Sequence, residues 1–222
     1  MQLAAADPLD EQLPVIELMP DMQAEWAGER LVYNGVPMSI RNFASRQPAK
    51  EVLGYYERNW KERDSDQISY SRVEDFDSIG FKSRDHFYSV RARDTDYGSE
   101  GSLVVSLALD EVEDPGRTTE FPIVPGSEIV STIEAVDRST RAETIVSTNL
   151  RTVGSNEIWF QSQLTRDGWV QERLGTPLAG ERRVITFQKG RQLCQITLIG
   201  DNPEHPGRTL VLVHWIKGGE KS

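Results

Sequence analysis

Apolar and polar positions alternate along much of the chain, and the alternation is interrupted in the same order twice. "ERLVYNGVPMSIRNF" (Glu29 to Phe43) sets two strand-like runs around Asn34-Gly35. Both turn residues take positive φ at little cost, so a tight hairpin is predicted. In "PAKEVLGYYERNWKER" (Pro48 to Arg63) the period changes. Val52, Tyr56 and Trp60 stand four apart, with Ala49 and Leu53 beside them, which predicts a helix with Pro48 in its first turn. "ISYSRV", "SIGFKS", "HFYSVRAR" and "GSLVVSLAL" then return to strand-like patterning and predict a meander.

The order restarts after "DEVEDPGRTTEFPIVPGS" (Asp110 to Ser127), which is acidic and rich in Pro and Gly. "EIVSTIEAV" and "AETIVSTNLRT" predict a second hairpin. "SNEIWFQSQLTRDGW" predicts a helix with Ser155 as its N-cap and Gly168 as its end. "VITFQ", "LCQITLIG" and "TLVLVHWIK" predict a second meander. At a constant offset of 106 positions, Ile79 matches Ile185, Phe81 matches Phe187, Val90 matches Ile196 and Gly101 matches Gly207. Val52 meets Ile158 in the same register. A match held through helix and strands predicts a tandem duplication.

The expected fold class is therefore α+β: two tandem repeated modules, each a helix packed on a mainly antiparallel sheet in the order hairpin, helix, meander. The expected organisation is an extended arm over 1–27, modules over 28–110 and 127–218, a linker over 111–126 and a tail over 219–222. Val52, Tyr56, Phe81, Val90 and Val104 are predicted to be buried, with Ile158, Phe187, Ile196 and Leu210 as counterparts.

Composition narrows the function classes. A net charge of -10 disfavours nucleic acid as a partner, since phosphate would be repelled by most of the surface. No apolar run approaches the ~20 residues of a membrane-spanning helix. Ala4 and Ala6, followed by an acidic, Pro-containing stretch, resemble the surroundings of a signal-peptidase cut. That predicts export to the periplasm with the signal peptide removed; a cytoplasmic chain with an ordinary N-terminus is the alternative. The single cysteine, Cys194, rules out an intrachain disulfide.

Candidate chemistry is sparse. Asp94, Asp96 and Glu100 share one loop, and Asp201, Asn202 and Glu204 the counterpart loop, but neither follows a calcium-loop pattern. His86, His205 and His214 show no zinc-ligand spacing. Cys194 falls inside an apolar strand, a setting for an inert thiol. The sequence thus assigns no catalytic, cofactor-binding or metal-ligating residue and no cofactor.

Two features point to a partner. Trp159 and Phe160 are adjacent, so one narrow helical stripe cannot bury both. In the arm, Leu13, Val15, Ile16 and Leu18 are apolar and lie around Pro14 and before Pro20, which favour an extended segment. These six residues are the expected partner contacts. The arm is expected to serve association rather than folding, so deleting residues 1–20 should leave thermal unfolding nearly unchanged. The function expected is a non-enzymatic, exported protein-binding or assembly accessory, with self-association as one form of it. The alternatives are a small-ligand carrier with a pocket between the modules, then a hydrolase.

Overall fold

A computed structural model of the chain describes residues 12–63, 67–108, 117–137, 140–172, 182–200 and 206–218. It corrects the fold class. Among the described residues the protein is mostly antiparallel sheet, 56% strand against 16% helix, so it is not an α+β pair of helix-on-sheet modules. Both stretches contain a helix, but two helices cannot outweigh strands of up to 11 residues. The chain divides into two compact units, 1–31 with 36–115, and 32–35 with 116–222.

Unit 1 contains β1 (Gln23–Tyr33), β2 (Val36–Ser45), α1 (Ala49–Lys61), β3 (Ile68–Val73), β4 (Phe76–Lys82), β5 (His86–Thr95) and β6 (Gly98–Leu107). Its strand order is β3-β4-β5-β6-β2-β1. Asn34 (φ 48°) and Gly35 (φ 81°) make the predicted turn between β1 and β2. Ala49, Val52, Tyr56 and Trp60 form the buried stripe of α1, and it packs with Phe43, Ile79, Phe81, Val90, Leu103 and Val105. Trp60 stacks on Phe81 with centroids 5.7 Å apart.

The N-terminus of α1 is capped from a distance. Pro48 makes no side-chain cap, and Asp94 Oδ1 on β5 accepts from Ala49 N at 2.7 Å. A carboxylate there also meets the positive end of the helix dipole. The metal candidate Asp94 is thus occupied structurally, and Glu100 receives the Arg93 guanidinium at 2.6 Å. Asp94→Ala is expected to cost about 1 kcal/mol, the usual value of an N-cap. Urea denaturation would check it, and an unchanged midpoint would refute the assignment.

Unit 2 contains β7 (Glu128–Asp137), β8 (Thr140–Asn149), α2 (Val153–Arg166), β9 (Val170–Gln171), β10 (Arg182–Lys189), β11 (Gln192–Ile199) and β12 (Thr209–Gly218). Its order is β7-β8-β12-β11-β10-β9. The hairpin tip at 32–35 belongs to this unit: Asn34 N donates to Thr132 O, and Thr132 N donates to Asn34 Oδ1, both at 2.9 Å. Thr152, not Ser155, caps α2, and its side chain accepts from Ser155 N. Gly168 (φ 84°) ends the helix as expected; its N–H reaches Thr165 O while Trp169 N reaches Leu164 O, the paired bonds of a Schellman end.

The register of the match also changes within the chain. Phe81 and Phe187, both buried, keep the offset of 106. The helices do not: Ala49, Val52, Tyr56 and Trp60 correspond in buried position to Val153, Asn156, Phe160 and Leu164, 104 positions on. The second half therefore carries two more residues between helix and meander. This is why Ile158, expected in the core, is 68% exposed. Asn156 takes the core position instead, satisfied by reciprocal bonds with Asn149 at 2.8 and 3.1 Å. Val104 and Leu210 are only half-buried, because their strands turn Leu103, Val105 and Val211 inward.

Residues 117–126, expected to close a linker, instead contribute Phe121 and Val124 to the core of unit 2. The remainder of that expected linker, the tail and the region of the expected signal cut lie outside the described residues.

Candidate functional site

The arm docks on its own unit. Pro14 and Pro20 restrict the residues before them to extended backbone, so the segment runs as a strap. Ile16 and Met22 are buried in the unit 1 core, and Leu13, Leu18 and Met19 pack partly against it. The main chain of the strap is held by two side chains. Tyr56 Oη accepts from Met19 N at 3.3 Å and donates to Glu17 O at 3.0 Å, and Arg41 donates to Ile16 O. Burial pushes the Tyr56 phenol up to about 12, against the opposing Met19 bond, and burial also lowers the Arg41 guanidinium from its ordinary value. Beside the strap lies a cavity of about 550 Å³, with Tyr55, Asn59, Trp60, Arg63 and Tyr88 in its walls.

The six expected contacts therefore divide. Ile16 faces inward, Leu13 and Leu18 are partly covered, and Val15 is 58% exposed. Phe160 is a core residue of unit 2, and Trp159 leans on that core with its ring 5.0 Å from Phe160, edge to face. The two adjacent rings do not share one buried stripe, yet the large side chain that α2 turns outward is Ile158, not an aromatic.

Strand β3 carries no candidate from the sequence, yet it ends the strand order and pairs with β4 alone among the described residues. Tyr70 and Val73 on it are 62% and 66% exposed. Tyr70 Oη donates to Glu57 Oε1 on α1 at 2.6 Å, which braces the strand against the helix. Alternation in "ISYSRV" identifies a strand but not its place at an edge.

A charged cluster in unit 2 also escapes the sequence reading. Glu134 on β7 lies directly opposite Glu143 on β8, a repulsive pair by itself. Lys217 on β12 answers both, with Nζ 2.6 Å from Glu134 Oε1 and 2.9 Å from Glu143 Oε2. The second contact pairs the ammonium with the more deeply buried of the two carboxylates. Arg141 grips Glu134 through two nitrogens at 2.7 and 3.0 Å, and Lys217 lies 4.7 Å from the Trp215 ring centre. Burial would raise the Glu134 carboxyl, but the Arg141 and Lys217 bonds outweigh it and hold the group low. Burial likewise opposes the Lys217 charge, and Glu134 and Glu143 raise it overall. The available signal was charge at inward-alternating positions of apolar strands, as in "AETIVST" and "LVLVHWIK".

The remaining candidates are dispersed. His86 opens β5 near the Tyr88 ring, and His214 Nδ1 on β12 lies 3.1 Å from Thr144 Oγ1 on the neighbouring β8. His205 and the loop of Asp201, Asn202 and Glu204 lie outside the described residues. Cys194 is fully buried, which pushes its thiol up to about 12. Among the described residues no three His, Cys, Asp or Glu side chains converge as a metal site, and no helix is long and apolar enough to cross a membrane. No family model, no curated protein and no solved structure matches the chain.

Proposed function

We propose that this is a protein-binding or assembly protein, exported to the periplasm, that captures an extended segment of another protein along β3. The supporting observation is the edge itself: among the described residues β3 pairs on one side only, with β4, and carries the exposed Tyr70 and Val73. A sheet edge offers a row of backbone donors and acceptors, and strand addition uses them for affinity while alternate side chains select the partner. Net negative charge keeps such a protein dispersed until that contact is made.

Proline at Ser71 would disturb edge pairing with little effect on the core, because Ser71 is exposed. Capture from an envelope extract by the unaltered chain and by Ser71→Pro and Val73→Lys should give the same background with one or more bands lost in both variants. Retention of every band by variants with native circular dichroism would remove β3 as the site.

A further inference from the structure

We propose that Asn34-Gly35, in the turn between β1 and β2, is a site of spontaneous deamidation, that docking on Thr132 sets its rate, and that the isoaspartyl product releases the turn. Asn34 is the one asparagine of the chain that precedes a glycine. Asn42, Asn59, Asn149 and Asn156 precede Phe, Trp, Leu and Glu, whose side chains crowd the following nitrogen. Asn202 precedes Pro, which has no N–H. Glycine, lacking Cβ, leaves its nitrogen open to close approach. The turn needs positive φ at both central residues, and the pair that supplies it is also the reactive one. Asn34 and Gly35 are both half-buried, so water reaches them.

The reaction requires no reagent but water. Gly35 N attacks Asn34 Cγ, a C–N bond forms, and the bond from Cγ to Nδ2 breaks. Ammonia leaves with the proton that Gly35 N gives up, and a five-membered succinimide remains. Water then opens the ring at one of two carbonyl carbons. Opening at Cγ gives aspartate with the main chain intact. Opening at the main-chain carbonyl gives isoaspartate, in which the chain runs through the former side chain and the old carbonyl becomes a free carboxylate.

The structure controls both the rate and the consequence. Thr132 N donates to Asn34 Oδ1, and Asn34 N donates to Thr132 O, each at 2.9 Å. Thr132 is buried, so little water competes for this pair. Ring closure turns the Asn34 side-chain carbonyl onto Gly35 N and takes Oδ1 away from Thr132. Attack therefore proceeds from the opened turn, and the folded chain reacts at the free-peptide rate multiplied by the open population. Two hydrogen bonds of ordinary net strength slow it roughly tenfold or more. The two products then differ. Aspartate keeps an oxygen where Oδ1 stood and still accepts from Thr132 N. Isoaspartate draws that carbonyl into the main chain and lengthens the turn by one carbon, so the reciprocal pair with Thr132 cannot re-form. This site is separate from β3 and does not depend on strand addition there.

Incubating the unaltered chain and a synthetic peptide LVYNGVP in mildly alkaline buffer, with peptide mapping for isoaspartate, tests the proposal. Asn34 should be the first asparagine of the folded chain to convert, roughly tenfold or more slowly than in the peptide. In the isoaspartyl fraction, separated by ion exchange, the Thr132 amide should exchange faster while the Leu164 amide of α2 stays protected. Asn34→Asp, which stands for the other product, should leave Thr132 exchange as it is in the unaltered chain. Absence of conversion at Asn34, earlier conversion of another asparagine, or equal rates in chain and peptide overturns the proposal. So does an isoaspartyl chain with Thr132 still protected, one that has lost protection at Leu164 as well, or an Asn34→Asp chain that exchanges at Thr132 like the isoaspartyl one.

Discussion

Lys217→Met should destabilise the protein by about 2–4 kcal/mol at neutral pH, as expected for stranding a buried charge of which part is still answered by another group. The physical cause is the cross-strand pair Glu134 and Glu143, whose side chains are only 20% and 6% exposed. Without the ammonium they face each other with little solvent to screen them. Arg141 still holds Glu134, which keeps the loss below the extreme. The pH dependence has a definite sign. Glu134 is depressed when folded, so its contribution is present above the unfolded value of about 4.3 and is lost as pH falls through the folded one. Lys217 is raised when folded, so its contribution is present below about 10.4 and is lost as pH rises through the folded value. The gap between Lys217→Met and the unaltered chain should therefore be widest between about pH 5 and 10 and narrow in acid. Denaturant midpoints across that range check it. Adding Glu143→Gln should recover part of the loss, and strict additivity of the two would show that they do not interact.

Ile16→Asp should destabilise unit 1 by about 2–3 kcal/mol, set by the burial of one isoleucine and capped at the free energy of strap docking. The sequence predicts the opposite, a strap irrelevant to unfolding. The structure reverses that expectation because Ile16 is 7% exposed and lies in the same cluster as Val52, Tyr56 and Trp60. A carboxylate there would be expelled, and the Tyr56 and Arg41 bonds would be lost with it. Amide exchange should accelerate at Met19 and Trp60, with β5 and β6 left protected. An unchanged exchange rate at both amides would return the strap to the surface.

The strap's place in the core is hidden in the sequence for an identifiable reason. Its counterpart, Phe121 to Val124, sits in a stretch whose Pro, Gly and acidic residues suggest a linker. No offset of 106 links the two, since the turns at Pro20 and Pro125 stand 105 apart and the helices 104. Small changes of register hide a structural equivalence that two turns make plain: Asp21 (φ 66°) follows the strap as Gly126 (φ 85°) follows its counterpart. A fixed offset likewise puts Ile158 in the core, where α2 places Asn156.

Local physics is legible without a structure. Asn34-Gly35 determined a turn, four-residue spacing determined α1 and its buried stripe, and Gly168 determined the end of α2, because each depends on φ preference or periodicity within a few residues. Phe81, Val90, Phe187 and Ile196 were placed in the core by the same local alternation. Tertiary structure alone decided the strand order within each unit, that Asp94 caps α1 across 45 positions and that Lys217 stands between Glu134 and Glu143. Strand neighbours are chosen by hydrogen bonds between distant residues, and periodicity carries no information about which strands meet. Whether a charge on an alternating strand is solvated or paired depends on that same choice, so the charged cluster and the place of β3 at the end of its strand order could emerge only once the chain had folded.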